Sequence, residues 1–359
     1  MVHPTPIQSA DAPALRDLCE QLAARAAEID RNQRWPEEQL RLCGDYGVYE
    51  WFQPVEWGGQ GWNAPEVLRS YLLLSAACLT TTFILTQRSG ACQRIAGSDN
   101  EAVKLRWLFD LAAGRKFATV AISHLTTSRR HLSRPVLEAT ETSQGFRLDG
   151  FSPWVTGGEH ADVIVTGATL LDGRQILVAL PTDLPGVECP PSPQLVGLTS
   201  SHTGEMRCHA VQVDRQWLLA GPVENVMRSG QGAGTGGLQT SALAIGHAGA
   251  AIEYLESQAR ERPDIAPPAS ELRKEQGALA RDLLNAAQGL GQCNQEQLRV
   301  RANSLALRAS QSALTAAKGM GYVVGHPAGR WCREALFFLV WSCPQPVLAA
   351  NLCEFAHLD

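Results

Sequence analysis

Apolar positions recur at helical spacing through residues 11–115. Ala14–Ile29 carries the pattern first, with Asp11 near its start in place to cap it. A second helix opens at Trp35-Pro36-Glu37 and runs to Cys43, its proline near the first turn. Val67–Leu85 and Glu101–Ala113 read as two further helices. Before them lies Pro54-Val-Glu-Trp-Gly58-Gly59-Gln-Gly61. Its three glycines in four residues require a backbone that turns tightly or lies close to something.

The period changes near residue 116. Phe117–Ile122, Ala161–Thr166, Gln175–Leu180 and Cys208–Val213 are short, apolar and of β type, and Gly145–Gly150 reads as a strand between turns. Pro181–Pro193 holds five prolines and belongs in loops. From about 223 the helical pattern returns. A glycine-rich opening, 229–237, leads into helices predicted over Leu243–Gln258, Ser270–Gln288 and Glu296–Lys318.

The last helical stretch is Arg333-Glu-Ala-Leu-Phe-Phe-Leu-Val-Trp341-Ser342-Cys343-Pro344. Its seven apolar or aromatic residues are too few to span a membrane and read as buried core. Proline continues a helix poorly, so the backbone changes direction at Ser342–Pro344, beside an apolar wall. Helices, then strands, then helices, without regular alternation, predict an α+β fold with three domains at 1–115, 116–222 and 223–359.

Composition narrows the classes. The 359 residues are 45% hydrophobic with a net charge of −5, and no basic run is long enough to track a nucleic-acid backbone. The ten cysteines include no CxxC pair, which removes zinc and thioredoxin-type readings and predicts buried thiols in a reducing compartment. The start, Met1-Val-His-Pro-Thr-Pro, has no signal-peptide pattern, and no stretch reaches about 20 apolar residues. A soluble cytoplasmic protein with no membrane partner is expected.

Several motifs in this order resemble the acyl-CoA dehydrogenase family, over nearly the whole chain. Pro54-x-x-x-Gly58-Gly59-x-Gly61 resembles its loop after the second helix; Trp154-Val-Thr156-Gly-Gly resembles its Trp-Ile-Ser/Thr motif; Lys318-Gly319-Met-Gly321-Tyr322 resembles its Gly-Gly-x-Gly-Phe turn. The resemblance implies an N-terminal helical domain, a middle β-barrel or sandwich domain and a C-terminal four-helix bundle. It also implies bound FAD, with FMN as the alternative, and a homodimer or homotetramer acting on a small molecule such as an acyl thioester. In that frame Trp154 stacks on the flavin and Thr156 and Ser123 reach it by hydroxyl. Gly319 and Gly321 approach the cofactor of a neighbouring subunit, and Arg262 stands where the family places a phosphate-binding arginine.

The departures fall on chemistry. The family's Thr-Glu-Pro-Gly-Ala-Gly-Ser-Asp loop is here Ser123-His124-Leu-Thr-Thr-Ser128-Arg129-Arg130. Arg129 and Arg130, with His131 and Arg134, form a basic cluster that could seat an anionic substrate group or lie in solvent. Ile265-Ala266 replaces the Phe-Gly after Arg262, and Pro344 and Pro346 occupy positions that usually contact FAD. The family's catalytic glutamate follows an aromatic residue at a turn that reads here Trp341-Ser342-Cys343, with Trp341 beside the substrate. A serine hydroxyl is no base at neutral pH unless another base activates it. The second family placement of the glutamate falls in 230–237, which holds no carboxylate. Three readings follow: a flavin oxidoreductase with another base, for which His124, His247 and Glu334 are candidates by location; a flavin monooxygenase, which needs no carboxylate at that turn; and a non-catalytic paralogue acting as a subunit or binding protein.

Overall fold

A computed structural model describes residues 4–126, 135–228, 237–291 and 293–358. Five helices come first: α1 (Pro13–Asn32), α2 (Glu37–Asp45), α3 (Ala64–Ala77), α4 (Leu79–Ala96) and α5 (Glu101–Ala112). α1 buries Leu15, Leu18, Leu22, Ala26 and Ile29, the stripe its spacing predicts. Asp11 does not cap it; the N-cap is Ala12, and Asp11 pairs with Arg69 on α3 instead. The helix predicted over Val67–Leu85 is two. Cys78 is extended (φ −155°, ψ 103°) and ends α3. Thr82 Oγ1 donates to the Cys78 carbonyl at 2.8 Å, so threonine hydroxyls compete with the helical ladder at this corner.

The strands follow: β1 (Ala118–Ala121), then the single turn α6 (Ser123–Thr126), β2 (Leu137–Glu141), β3 (Gly145–Thr156), β4 (Val163–Leu170), β5 (Gln175–Pro181), β6 (Val187–Glu188), β7 (Thr203–Asp214) and β8 (Leu218–Val223). They form one sheet in the order β6-β7-β3-β2-β4-β5-β8, with β1 parallel to β4. β3 and β7 are the long antiparallel pair, and a register shift between Ser152 and Val155 breaks the ladder at Trp154. One face packs around Phe146, Leu148, Ile164, Ile176 and Met206. Val163, Val165 and Ala179 pack with α4 and α5.

The C-terminal helices are α7 (Leu238–Ala259), α8 (Ala266–Ala287), α9 (Gln295–Gly321), α10 (Pro327–Ala335), α11 (Phe337–Val340) and α12 (Gln345–Ala356). α9 opens with a capping box in which Asn294 and Gln297 satisfy each other's backbone donors. The stretch read as the final helix is corrected in two respects. It breaks at Leu336, and α12 follows the proline turn. Nor is it uniformly core: Ala335 and Phe338 are buried, whereas Leu336 and Val340 are exposed.

The N- and C-terminal helices share one core, running from Leu15 through Tyr71 and Ile245 to Leu305 and Phe338. α3 and α7 meet at Gly246, where a Cβ would collide with Ser75 Oγ and the Leu72 carbonyl. Among the described residues no helix is long and apolar enough to cross a membrane. All ten cysteines are free; four are buried and Cys353 is exposed, so the expectation of buried thiols holds only in part.

Candidate active site

A cavity of about 1100 Å³ opens where the two helical layers meet the sheet. The Pro54 loop forms one side. Gly58 and Gly61 are left-handed (φ 80° and 62°), and a Cβ on Gly59 would strike the Gln53 carbonyl. That folding brings Trp62 against Trp51, ring centroids 4.3 Å apart, and both line the cavity. β1, α6 and the residue between them supply Val120, Ile122, Ser123 and Thr126, while β3 supplies Trp154.

The turn after α11 also borders the cavity. Trp341 and Phe337 stack at 5.5 Å, and each meets Phe83 of α4 edge-on at 4.7 Å. Below the turn, Arg299 of α9 is 2% exposed and donates to the Trp341 carbonyl at 3.0 Å. Asn303 Nδ2 donates to the Phe338 carbonyl at 3.0 Å. These bonds occupy carbonyls that the broken helix leaves without helical partners. Ser342 itself takes a positive φ of 45°, uncommon for a residue with a side chain, and borders the cavity.

Four sequence-predicted site residues therefore line one cavity: Ser123, Trp154, Trp341 and Ser342. Trp154 is 42% exposed, an aromatic plate open to the cavity. Ser123 Oγ is buried without a hydrogen-bond partner among the described residues, a costly state that a ligand acceptor or donor would relieve. Thr156 is not in the wall. Its hydroxyl lies 3.0 Å from Thr203 Oγ1, which lies 2.8 Å from Ser201 Oγ, and Thr203 and Ser201 line the cavity in its stead. Gly157 explains the motif's glycine, since it is left-handed (φ 64°) and a Cβ would press on Trp35.

Arg262, Gly319 and Gly321 lie outside the cavity wall. Arg262 Nη1 donates to the Ala316 carbonyl at 2.6 Å, which spends one of its donors on the end of α9. α9 kinks at Lys318 (φ 52°, ψ −147°), and the turn beyond it exposes Met320, Tyr322 and Val324. Arg129 and Arg130 lie outside the described residues.

None of the three candidate bases lines the cavity. His124 is buried, with Nε2 2.8 Å from the Gly167 carbonyl and Nδ1 3.1 Å from Ser152 Oγ, and burial pushes its pKa down to about 4. His247 is held at 3.0 Å by the Trp331 carbonyl, and burial again takes it to about 4. Glu334 lies 3.5 Å from His247 Nδ1, and burial lifts its carboxyl to about 7 against the pull of Arg330. All three are buried and lie outside the described wall. The described wall contains no aspartate or glutamate. The sequences of 127–134 and 229–236 contain none either.

Sequence reasoning missed Trp51, Trp62, Ser201, Thr203 and Arg94. The cluster Ser200-Ser201-His202-Thr203 ahead of a strand was the available signal for two of them.

Residues 8–115 match the model of the acyl-CoA dehydrogenase N-terminal domain. A probable acyl-CoA dehydrogenase of Bacillus subtilis is 24% identical over 337 residues, covering 88% of each chain. The mitochondrial short-chain specific acyl-CoA dehydrogenase of Mus musculus is 24% identical over 348 residues, covering 89% of this chain and 84% of its own. Among solved structures, butyryl-CoA dehydrogenase from Megasphaera elsdenii superposes with a TM-score of 0.80 at 17% identity, covering 95% of this chain and 97% of that one. A glutaryl-coenzyme A dehydrogenase with glutaryl-CoA gives 0.81 at 16% identity, covering 97% and 96%.

Proposed function

The chain is a distant member of the acyl-CoA dehydrogenase family, and we propose that it is a flavin-dependent oxidoreductase that works without a carboxylate at the turn after α11. The observation that carries the reading is one cavity lined by an open indole, Trp154, by the Ser123 hydroxyl, which has no partner among the described residues, and by an aromatic turn bearing Ser342. Trp154 and Ser123 fit the flat, polar-edged ring of a flavin, FAD or FMN. Bound there, a flavin supplies hydride or oxygen chemistry. The protein's own part is to orient the ring with Trp154 and Ser123, and to exclude water with Trp51, Trp62, Phe337 and Trp341. Ser342 offers the small-molecule substrate, an acyl thioester in the first instance, one hydroxyl for hydrogen bonding.

The carboxylate-free wall favours a second reading beside the first. In a family dehydrogenase an α-proton must go to a base, and the described wall has none. Oxygen transfer makes no such demand at this turn, so a flavin monooxygenase also fits. The exposed Met320, Tyr322 and Val324 beyond the α9 kink support assembly into a homodimer or homotetramer. No role in binding nucleic acid is proposed for a chain of net charge −5.

Titration of the purified chain with FAD and with FMN, followed by sedimentation read at the flavin band, tests flavin and assembly together. The expected result is one flavin per subunit in a sedimenting oligomer. Trp154→Ala weakens uptake roughly tenfold, the worth of about 1.4 kcal/mol of lost stacking. A chain that takes up neither flavin contradicts both enzymatic readings and leaves the non-catalytic one.

A further inference from the structure

Three hydroxyls meet at one end of the β3–β7 pair. Thr156 closes β3, Thr203 opens β7, and the two stand opposite each other in the ladder. Thr203 Oγ1 lies 3.0 Å from Thr156 Oγ1 and 2.8 Å from Ser201 Oγ. A threonine pair across two strands is ordinary sheet chemistry. The serine adds a third proton to be placed.

The turn that brings Ser201 in is held from two sides. Thr199–Ser201 is a single helical turn flanked by Leu198 and His202, both left-handed (φ 62° and 43°), a conformation uncommon for residues with side chains. The Gly157 N–H donates to the Ser201 and His202 carbonyls at 3.1 and 3.0 Å, which ties the turn to the end of β3. Ser200 donates its hydroxyl to the Ile29 carbonyl of α1 at 2.7 Å.

The proton count sets the direction of the hydrogen bonds. Three hydroxyls carry three protons, and the two contacts between them use two. Neither Ser201 Oγ nor Thr156 Oγ1 has another partner among the described residues, and the residues are 0% and 1% exposed. Ser201 borders the cavity, yet at that exposure it presents no surface to a ligand. A buried hydroxyl proton without an acceptor is costly. Both residues therefore donate to Thr203 and fill its two lone pairs. The proton left over is that of Thr203, which is 3% exposed and lines the cavity. An oxygen that accepts two hydrogen bonds is polarised into a stronger donor, and with its lone pairs filled it can only donate.

We propose that Thr203, oriented by Ser201 and Thr156, donates a hydrogen bond to a carbonyl oxygen of the molecule bound in the cavity, and rejects a donor group at that place. The carbonyl belongs to the flavin ring or to the thioester, so the assignment rests on the reading of the cavity as a flavin-dependent active site for an acyl thioester. In that reading the hydroxyl that reaches the ligand comes from β7, and Thr156 of the tryptophan motif acts through it.

The test compares the wild type with Thr203→Val, Thr203→Ser and Ser201→Ala. Each is titrated with flavin and then with butyryl-CoA isotope-labelled at its thioester carbonyl, and infrared spectra of the carbonyl bands are taken at both stages. The expected result is that Thr203→Val moves one band to higher frequency, the flavin's or the labelled thioester's, and weakens binding of that same molecule about tenfold. The band that moves names the source. Thr203→Ser keeps the hydroxyl and stays close to the wild type. Ser201→Ala moves the same band in the same direction by less, because Thr203 then accepts one hydrogen bond in place of two; this variant carries the test if Thr203→Val does not fold. A threonine with a purely structural role would alter stability and leave both bands in place. Bands unmoved by these substitutions, with flavin taken up by the wild type, overturn the inference and leave the active-site reading intact. A larger shift in Ser201→Ala than in Thr203→Val also overturns it, because the outward proton then belongs to Ser201. A wild type that takes up no flavin overturns the reading of the active site, and this inference with it.

Discussion

The three candidate bases, His124, His247 and Glu334, are all buried in the fold. His124 is fixed between a backbone carbonyl and Ser152, and its folded-state pKa lies near 4 against an ordinary 6.5. The unfolded chain therefore binds a proton that the folded chain does not. That stability is present above pH 6.5 and is lost as pH falls toward 4, at about 1.4 kcal/mol per pH unit across the window. His247 has the same sign. Glu334 has the opposite one: its carboxyl is raised from 4.5 to about 7, so it gives up stability as pH rises through that interval. Denaturation at pH 4.5, 5.5 and 6.5 should show the histidines outweighing the acid. His124→Gln should flatten the slope by one proton's worth, and Glu334→Gln should steepen it. A slope unchanged by His124→Gln would mean that His124 is charged in the folded chain.

At the scale of elements, the α3–α7 contact is the joint between the two helical layers. Gly246 lets the backbones approach, and Gly246→Ala forces a methyl against Ser75 and the Leu72 carbonyl. The expected cost is about 1–3 kcal/mol in a chemical-denaturation midpoint; a neutral substitution would show that the helices separate freely. The legibility of the elements followed the strength of their patterns. α1 carries its stripe openly, and β4 and β5 are apolar and of β type. β2 holds two glutamates in five residues, while β8 contains Gly221 and Pro222, so neither reads as a strand until β3, β4 and β5 pair with it. The corner at Cys78 was hidden because the apolar period runs straight through it. At the site, Trp154, Trp341 and Ser342 were legible from motif order. Arg94 was not, because a polar stripe on a helix looks the same whether it faces water or a cavity.

At the scale of the molecule, helices from both ends of the chain and the sheet between them enclose one space, and the turn after α11 brings the Ser342 hydroxyl to its edge. A positioned base contributes roughly 10²- to 10⁴-fold to a proton-transfer step. The cavity supplies aromatic walls, Ser123 and Thr203, all without that contribution. The most direct measurement is the visible absorbance of the flavin-loaded protein after anaerobic mixing with an acyl-CoA, for the wild type and for Ser342→Glu. The account predicts that the wild-type flavin stays oxidised on the timescale on which Ser342→Glu bleaches, with rates about 10²- to 10⁴-fold apart. A wild type that bleaches as fast as Ser342→Glu would contradict it, because a base would then be at work that neither the described wall nor the turn contains.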